Sequence, residues 1–301
     1  MLTKVIPPQG PELKRYTDLA VDDLRPYVAR VLLGTRLRRL RSERNLDGQK
    51  VAKAIGCSKS KLSRIESGRI PCPRSDLAEL LRFYGAASDS WAEFQLLAHR
   101  GGLTPWWADD VALLPIDGGH LIDLEPAAQR INCYETRFVP ELLQTEEYSR
   151  AIFEQAAGTH GTEPERRVEI LRKRQQILRH KSPPRVWVIV EEAALRSNFV
   201  DQHVRQRQFD HLLNMTRAPE SHISLQIVRE TKCAAASLPH SCTYLRFPSQ
   251  DLPDLVVNET FNRVVINERK ADVEGCMAAF NNAMLLAESP DVSRALLKAM
   301  R

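Results

Sequence analysis

The chain has 301 residues, 43% hydrophobic and 27% charged, with 18 prolines, six cysteines and a formal net charge of +5. That length and composition allow two domains with a substantial core and exclude a disordered tail. The sequence has no run of about 18 apolar residues and no signal-peptide apolar region in its opening MLTKVIPPQG, so a cytoplasmic protein without membrane contact is expected.

Residues 1–25 contain PPQGPE and few periodic apolar positions, which predicts an arm that is mobile or packs on a partner. Pro26 then opens a helix carrying Tyr27, Val28, Val31, Leu32, Leu37 and Leu40. Its arginines, Arg36, Arg38, Arg39, Arg41 and Arg44, either solvate an exposed face or touch backbone phosphate. The stretch DGQKVAKAIGCSKSKLSRIESG, from Asp47 to Gly68, has the punctuation of two short helices joined by a tight turn. Asp47 can cap the first helix, where Val51, Ala52 and Ile55 share a face. Gly56 suits a left-handed residue after that helix, and Ser58 offers a hydroxyl to cap the next.

On this second helix Leu62 and Ile65 point inward and leave Ser60, Ser63, Arg64 and Ser67 on the opposite side. Lys59 and Lys61 in its first turn oppose the positive end of the helix dipole, which makes sense if a polyanion arrives there. A major groove admits such a helix, with its N-terminal residues at the base edges. The competing reading is a basic helical hairpin that serves only as a packing unit. Cys57 in the turn is either small-residue packing or a place where oxidation disturbs docking.

After Gly68 the loop RIPCPR carries Arg69 and Arg74 as phosphate clamps. Ser75 is expected to cap a helix through Leu77, Leu80, Leu81 and Tyr84, stopped by Gly85, and Ser90 to start a fifth helix reaching about His99. Gly101 and Gly102 mark a boundary, which gives an all-α DNA-binding domain over 26–102. Charge divides along the same line. Residues 31–85 hold 13 Lys+Arg against 5 Asp+Glu, 13 − 5 = +8, whereas residues 105–301 hold 24 against 27, 24 − 27 = −3. A basic domain of this kind predicts salt-sensitive binding to phosphates.

Residues 103–301 read as an α+β regulatory or dimerisation domain. Thr145 can cap a helix with Tyr148, Ile152 and Phe153, and residues 163–179 form a charged helix. RVWVIV at 185–190, HISLQIV at 222–228, CTYLRF, DLVVNE and RVVI read as strands, and an antiparallel sheet is expected from them. Residues 268–287 return to a helix.

The paired helices ending in SRIESG resemble the Cro/repressor-type (XRE) helix-turn-helix family over about residues 31–84. The resemblance implies that Lys59, Ser60 and Arg64 are base readers, Arg64 being suited to a bidentate guanine contact. It also implies an ion pair between Arg41 and Glu66, and Lys61 and Ser63, on the same helix as the base readers, are expected to contact phosphate. Gly48 stands where many relatives carry a phosphate-binding glutamine, so its backbone N–H or the neighbouring Gln49 must substitute. Further on, TPWWADD, the segment LEPAAQRINCYETRFVPELLQTEEYSRA, RQQILR, WVIVEEAALR and VVNET are similar to the WhiJ-like actinobacterial regulators. That resemblance implies an antitoxin-like or developmental transcription regulator, often paired with a small acidic BldB-like protein. Glu141 stands where those relatives have glycine, and the loop ETKCAAASLPHS lacks their glycine-containing turn.

No HExxH, GxSxG, GxGxxG or phosphate-binding glycine loop is present, the eight histidines are dispersed, and no CxxC pair occurs. Neither metal nor cofactor is expected. Glu191 and Glu192 are either an acid/base pair or the start of a helix. Trp106, Trp107, Tyr134 and Trp187 are either core or the lining of an apolar ligand pocket. The expected function is a sequence-specific transcription regulator that binds double-stranded DNA as a homodimer; the alternative is a small-molecule-sensing regulator, and a DNA-tethered enzyme is least supported.

Overall fold

The computed structural model describes residues 24–157, 163–217, 221–236, 238, 240–260 and 262–301, so nearly all of the arm expected over 1–25 lies outside the described residues. Five helices form the N-terminal part: α1 (Pro26–Glu43), α2 (Gly48–Ala54), α3 (Lys59–Glu66), α4 (Arg74–Phe83) and α5 (Trp91–Gly101). Proline at the first position of α1 needs no backbone partner, and Val28, Leu32, Leu33 and Leu37 bury one side of the helix. Pro73, extended at φ −60° and ψ 146°, precedes α4, so the helix begins at Arg74 and the cap expected at Ser75 does not form.

Glycines set two close approaches among these helices. A Cβ on Gly34 would lie 2.6 Å from the carbonyl oxygens of Ile65 and Glu66, so α1 crosses the end of α3 at backbone contact. Gly101, read from sequence as a boundary marker, is the last residue of α5, where a Cβ would come within 2.8 Å of Arg30 Cγ.

The C-terminal part is built on a six-stranded sheet in the order β3-β2-β1-β4-β5-β6. The strands are β1 (Arg130–Glu135), β2 (Arg185–Glu191), β3 (Ile223–Val228), β4 (Cys242–Arg246), β5 (Leu255–Glu259) and β6 (Val264–Asn267). The sheet is mixed. The expected antiparallel pairing holds for β1-β4-β5-β6, whereas β1, β2 and β3 run parallel. Parallel pairing needs long crossovers. α7 (Glu146–Ala157) and α8 (Pro164–Arg174) supply one, and α9 (Glu192–Arg196) and α10 (Gln202–Met215) the other.

β1, the central strand, is absent from the sequence reading because RINCYE carries three charged or amide residues in six positions. Its middle four residues are nonetheless buried, since both faces of the sheet are covered. One face sends Ile131, Val188, Leu225 and Leu245 into the main core. The other sends Tyr134 and Ile189 under Phe280 and Ala283 of α11 (Lys270–Leu286). There Cys242 on β4 and Cys276 on α11 hold their Sγ atoms 3.4 Å apart as free thiols.

α6 (Gly118–Leu124) joins the two parts. Tyr27 of α1 donates its backbone N–H to Asp123 Oδ2 at 2.9 Å and stacks its ring on His120, centroids 3.9 Å apart. Arg36 and Arg39, further along α1, reach Asp251 in the β4–β5 connection at 2.8 and 2.5 Å. α12 (Pro290–Met300), capped by Ser289, packs beside β3.

Candidate nucleic-acid interface

The α2–α3 hairpin is held by local hydrogen bonds. Asp47 accepts from the backbone N–H groups of Gln49 and Lys50 at 2.9 and 3.1 Å, and these donors hold its carboxyl pKa below the ordinary value. Gly56 takes φ +68° in the turn, and Ser58 Oγ accepts from Lys61 N–H at 3.1 Å at the head of α3. Leu62 and Ile65 are buried, which leaves Lys59, Ser60, Ser63 and Arg64 exposed along the outer side of α3.

The far end of α3 is clamped to α1. Arg41 donates Nε to Glu66 Oε1 at 2.7 Å and Nη2 to Oε2 at 2.9 Å, a bidentate pair on a carboxylate that is buried. Arg38 Nη2 adds a bond to the Glu66 carbonyl oxygen at 3.0 Å. With its inner side packed and its end tied, α3 presents its first turn to solvent on a rigid support.

The remaining phosphate candidates divide. Gln49, Arg69 and Arg74 are exposed, and a Cβ on Gly48 would touch only Leu62 Cδ2, at 4.0 Å. The ammonium of Lys61 instead pairs with Asp76 Oδ2 at 2.5 Å, inside its own domain. Arg36 and Arg39 are turned to Asp251, a partner more than 200 residues away that local spacing could not reveal.

The four aromatic residues considered as one ligand pocket do not converge. Trp107 donates Nε1 to buried Asp123 at 3.0 Å and packs with Trp106, Ile122 and Ile170. Tyr134 and Trp187 lie on the α11 side of the sheet, bonded to Glu191 at 2.6 Å and to Gln226 at 2.9 Å. Strand alternation separates the pairs, because Tyr134 and Trp187 occupy positions whose side chains leave the sheet on that face. Glu191 and Glu192 are likewise drawn into separate contacts, Glu191 to Tyr134 and Glu192 to Arg196 at 2.8 Å. Among the described residues no group of three or more His, Cys, Asp or Glu side chains is arranged to hold a metal ion.

The clefts lie elsewhere, between α6, α8 and the ends of β1 and β5, where Glu135, Glu141, Arg174 and Glu259 converge. Sequence reasoning missed this group, since its members come from four separate segments. The one partial signal was Glu141, the departure from glycine, which accepts from Arg174 Nη1.

Residues 32–94 match the family model described as a helix-turn-helix domain, and residues 119–299 match the model described as a domain of unknown function (DUF5753). No curated protein and no solved structure matches the chain. No helix among the described residues is long and apolar enough to cross a membrane. The helix-turn-helix match marks the exposed α3 face as part of a DNA-binding domain, and the second match spans more than half of the sequence. The chain therefore belongs to the DUF5753 family, as a regulator with a helix-turn-helix domain ahead of the family domain.

Proposed function

We propose that the protein is a sequence-specific transcription regulator of the XRE, WhiJ-like type that reads the major groove with Lys59, Ser60 and Arg64. The observation that carries this reading is the exposed first turn of α3, on a helix tied to α1 through Arg41 and Glu66. Arg64 suits a guanine edge, Lys59 and Ser60 flank it, and Gln49, Ser63, Arg69 and Arg74 surround them as phosphate contacts. Lys61 joins that set only by leaving Asp76. The protein acts as a homodimer on a two-half-site operator, since paired recognition helices mirror operator symmetry. A small acidic BldB-like protein, implied by the WhiJ-like resemblance, delivers a signal to the C-terminal domain at the nucleoid. Footprinting with and without that protein tests the partnership.

The reading face is tested by operator selection followed by titration of single-base variants. Arg64→Ala is expected to relax discrimination at one base position by about 1 to 3 kcal/mol, and Lys59→Ala to weaken operator binding. Unchanged affinity and base preference in both variants would place the interface elsewhere.

A further inference from the structure

Two clefts of about 420 and 330 Å³ adjoin each other and share Glu141, Phe153, Arg174, Glu259 and Thr260 as common wall. That volume suits a small organic ligand. One side is apolar, formed by Ile122, Ile170, Leu171 and Val264. The other is formed where β1 and β5 end, at Glu135 and Glu259.

Three arginines line the clefts, and each already has a partner within the protein: Arg137, at the exposed rim, lies over the Phe138 ring, 5.0 Å from its centroid. Arg174 donates to both oxygens of Glu125, at 2.6 and 2.7 Å, and also to Glu141. The guanidinium of Arg167 lies over the Phe153 ring, 4.1 Å from its centroid. Glu135 and Glu259 have no ion-pair partner among the described residues. An anion entering the cleft meets two carboxylates without counter-ions; a cation supplies what they lack.

We propose that this double cleft binds an organic cation, an amine or guanidine on an apolar body, with its charge against Glu135 and Glu259 and its body against Phe153, Ile170 and Leu171. Burial and the neighbouring carboxylates Glu141 and Glu259, opposed by Arg174 and a hydrogen bond from Ser241, push Glu135 up to about 8. Glu259, open to water at the cleft mouth, has its pKa raised by the partial desolvation the cleft imposes and by Glu141 and Glu125, against Arg174. A bound cation favours the charged form of both, so binding releases protons and tightens as pH rises through that range.

The cleft is placed to report its occupancy. Gly118, Leu121 and Ile122 of α6 line it, while His120 and Asp123 of the same helix hold Tyr27 of α1. α1 in turn holds α3 through Arg38 and Arg41. An occupant that shifts α6 therefore shifts the support of the recognition helix, provided it binds the two arrangements unequally. This link to DNA rests on the regulator reading; the binding itself does not.

The test titrates the full-length protein, without DNA, with phenylbutylamine and with its isosteres phenylbutanol and phenylbutyrate, by calorimetry in buffers of different ionisation enthalpy. The amine is expected to bind at least about tenfold more tightly than either isostere, with proton release, and to lose that preference in the Glu135→Gln/Glu259→Gln double variant. If that variant does not fold, Glu259→Gln alone, on the open side of the cleft, carries the comparison. An amine no tighter than the alcohol, or a preference that survives the substitutions, overturns the site. Operator affinity is then measured with and without amine. An unchanged value with the amine bound overturns the coupling, whereas failure to bind any operator in its absence overturns the regulator reading instead.

Discussion

At Gly34 one missing methyl group decides how the recognition helix is seated. Gly34→Ala would bring a Cβ within 2.6 Å of two backbone oxygens of α3, and a loss of about 1–3 kcal/mol is expected as a lower Tm. Gly48→Ala is the counter-case, because its Cβ meets only Leu62 at 4.0 Å and φ there is not positive; a gain of up to about 1 kcal/mol is expected in the same assay. Arg41→Ala leaves the buried Glu66 carboxylate short of two charge-assisted bonds, at a cost of about 1.5–3 kcal/mol in chemical denaturation. Glu135 gives a pH dependence of definite sign. Its pKa rises on folding to about 8, so between its ordinary value and about 8 the folded chain holds more protons than the unfolded one. Its contribution is complete at low pH and is lost as pH rises through about 8. Glu135→Gln is expected to flatten that fall in denaturation curves collected across the range.

α1 is the element through which the two parts of the chain meet. Its start is bonded to α6 through Tyr27, its middle is held to the β4–β5 connection through Arg36, Arg39 and Asp251, and its last turns clamp α3. Asp251 is nearly buried, and when it is neutralised both arginines lose the counter-ion they share, Arg36 keeping only Glu93. Asp251→Asn is therefore expected to speed amide hydrogen exchange in α1 and in residues 247–254 while leaving α10 and α12 unchanged. Equal exchange in wild type and variant would mean that packing around α6 alone holds the parts together. The α2–α3 hairpin depends much less on such distant contacts, because Asp47, Gly56 and Ser58 act within their own or adjacent turns.

For the molecule as a whole, the excess positive charge of residues 31–85 is only partly free to meet DNA. Arg36 and Arg39 are turned to Asp251, Arg41 to Glu66 and Lys61 to Asp76, which leaves Lys59, Arg64, Arg69 and Arg74 among the cations exposed around α3. Affinity for the operator is expected to fall linearly on a log–log plot against salt, by about 0.9 per phosphate neutralised. Arg69→Ala and Arg74→Ala should each lower that slope by about 1 and weaken binding to all sequences alike. Arg39→Ala should leave the slope unchanged. A loss of slope in Arg39→Ala equal to that in Arg69→Ala would mean that α1 faces the phosphates.

Five helices ahead of an α+β region, the hairpin with both its caps and its glycine turn, and five of the six strands could be read from residue order alone. Each depends on interactions within a few residues: a side chain bonding N–H groups two or three positions on, a glycine free to adopt positive φ, apolar groups recurring with the period of a helix or strand. Tertiary structure decided the rest. β1 is a buried strand because sheets of side chains cover both its faces, which RINCYE does not announce. Parallel pairing of β1, β2 and β3 followed from crossover helices, and strand alternation sent Tyr134 and Trp187 away from Trp106 and Trp107. The cleft and the arginine pairs of α1 join residues tens to hundreds of positions apart. Which charges meet at such separations is chosen by packing of the whole chain, and local spacing carries no record of it.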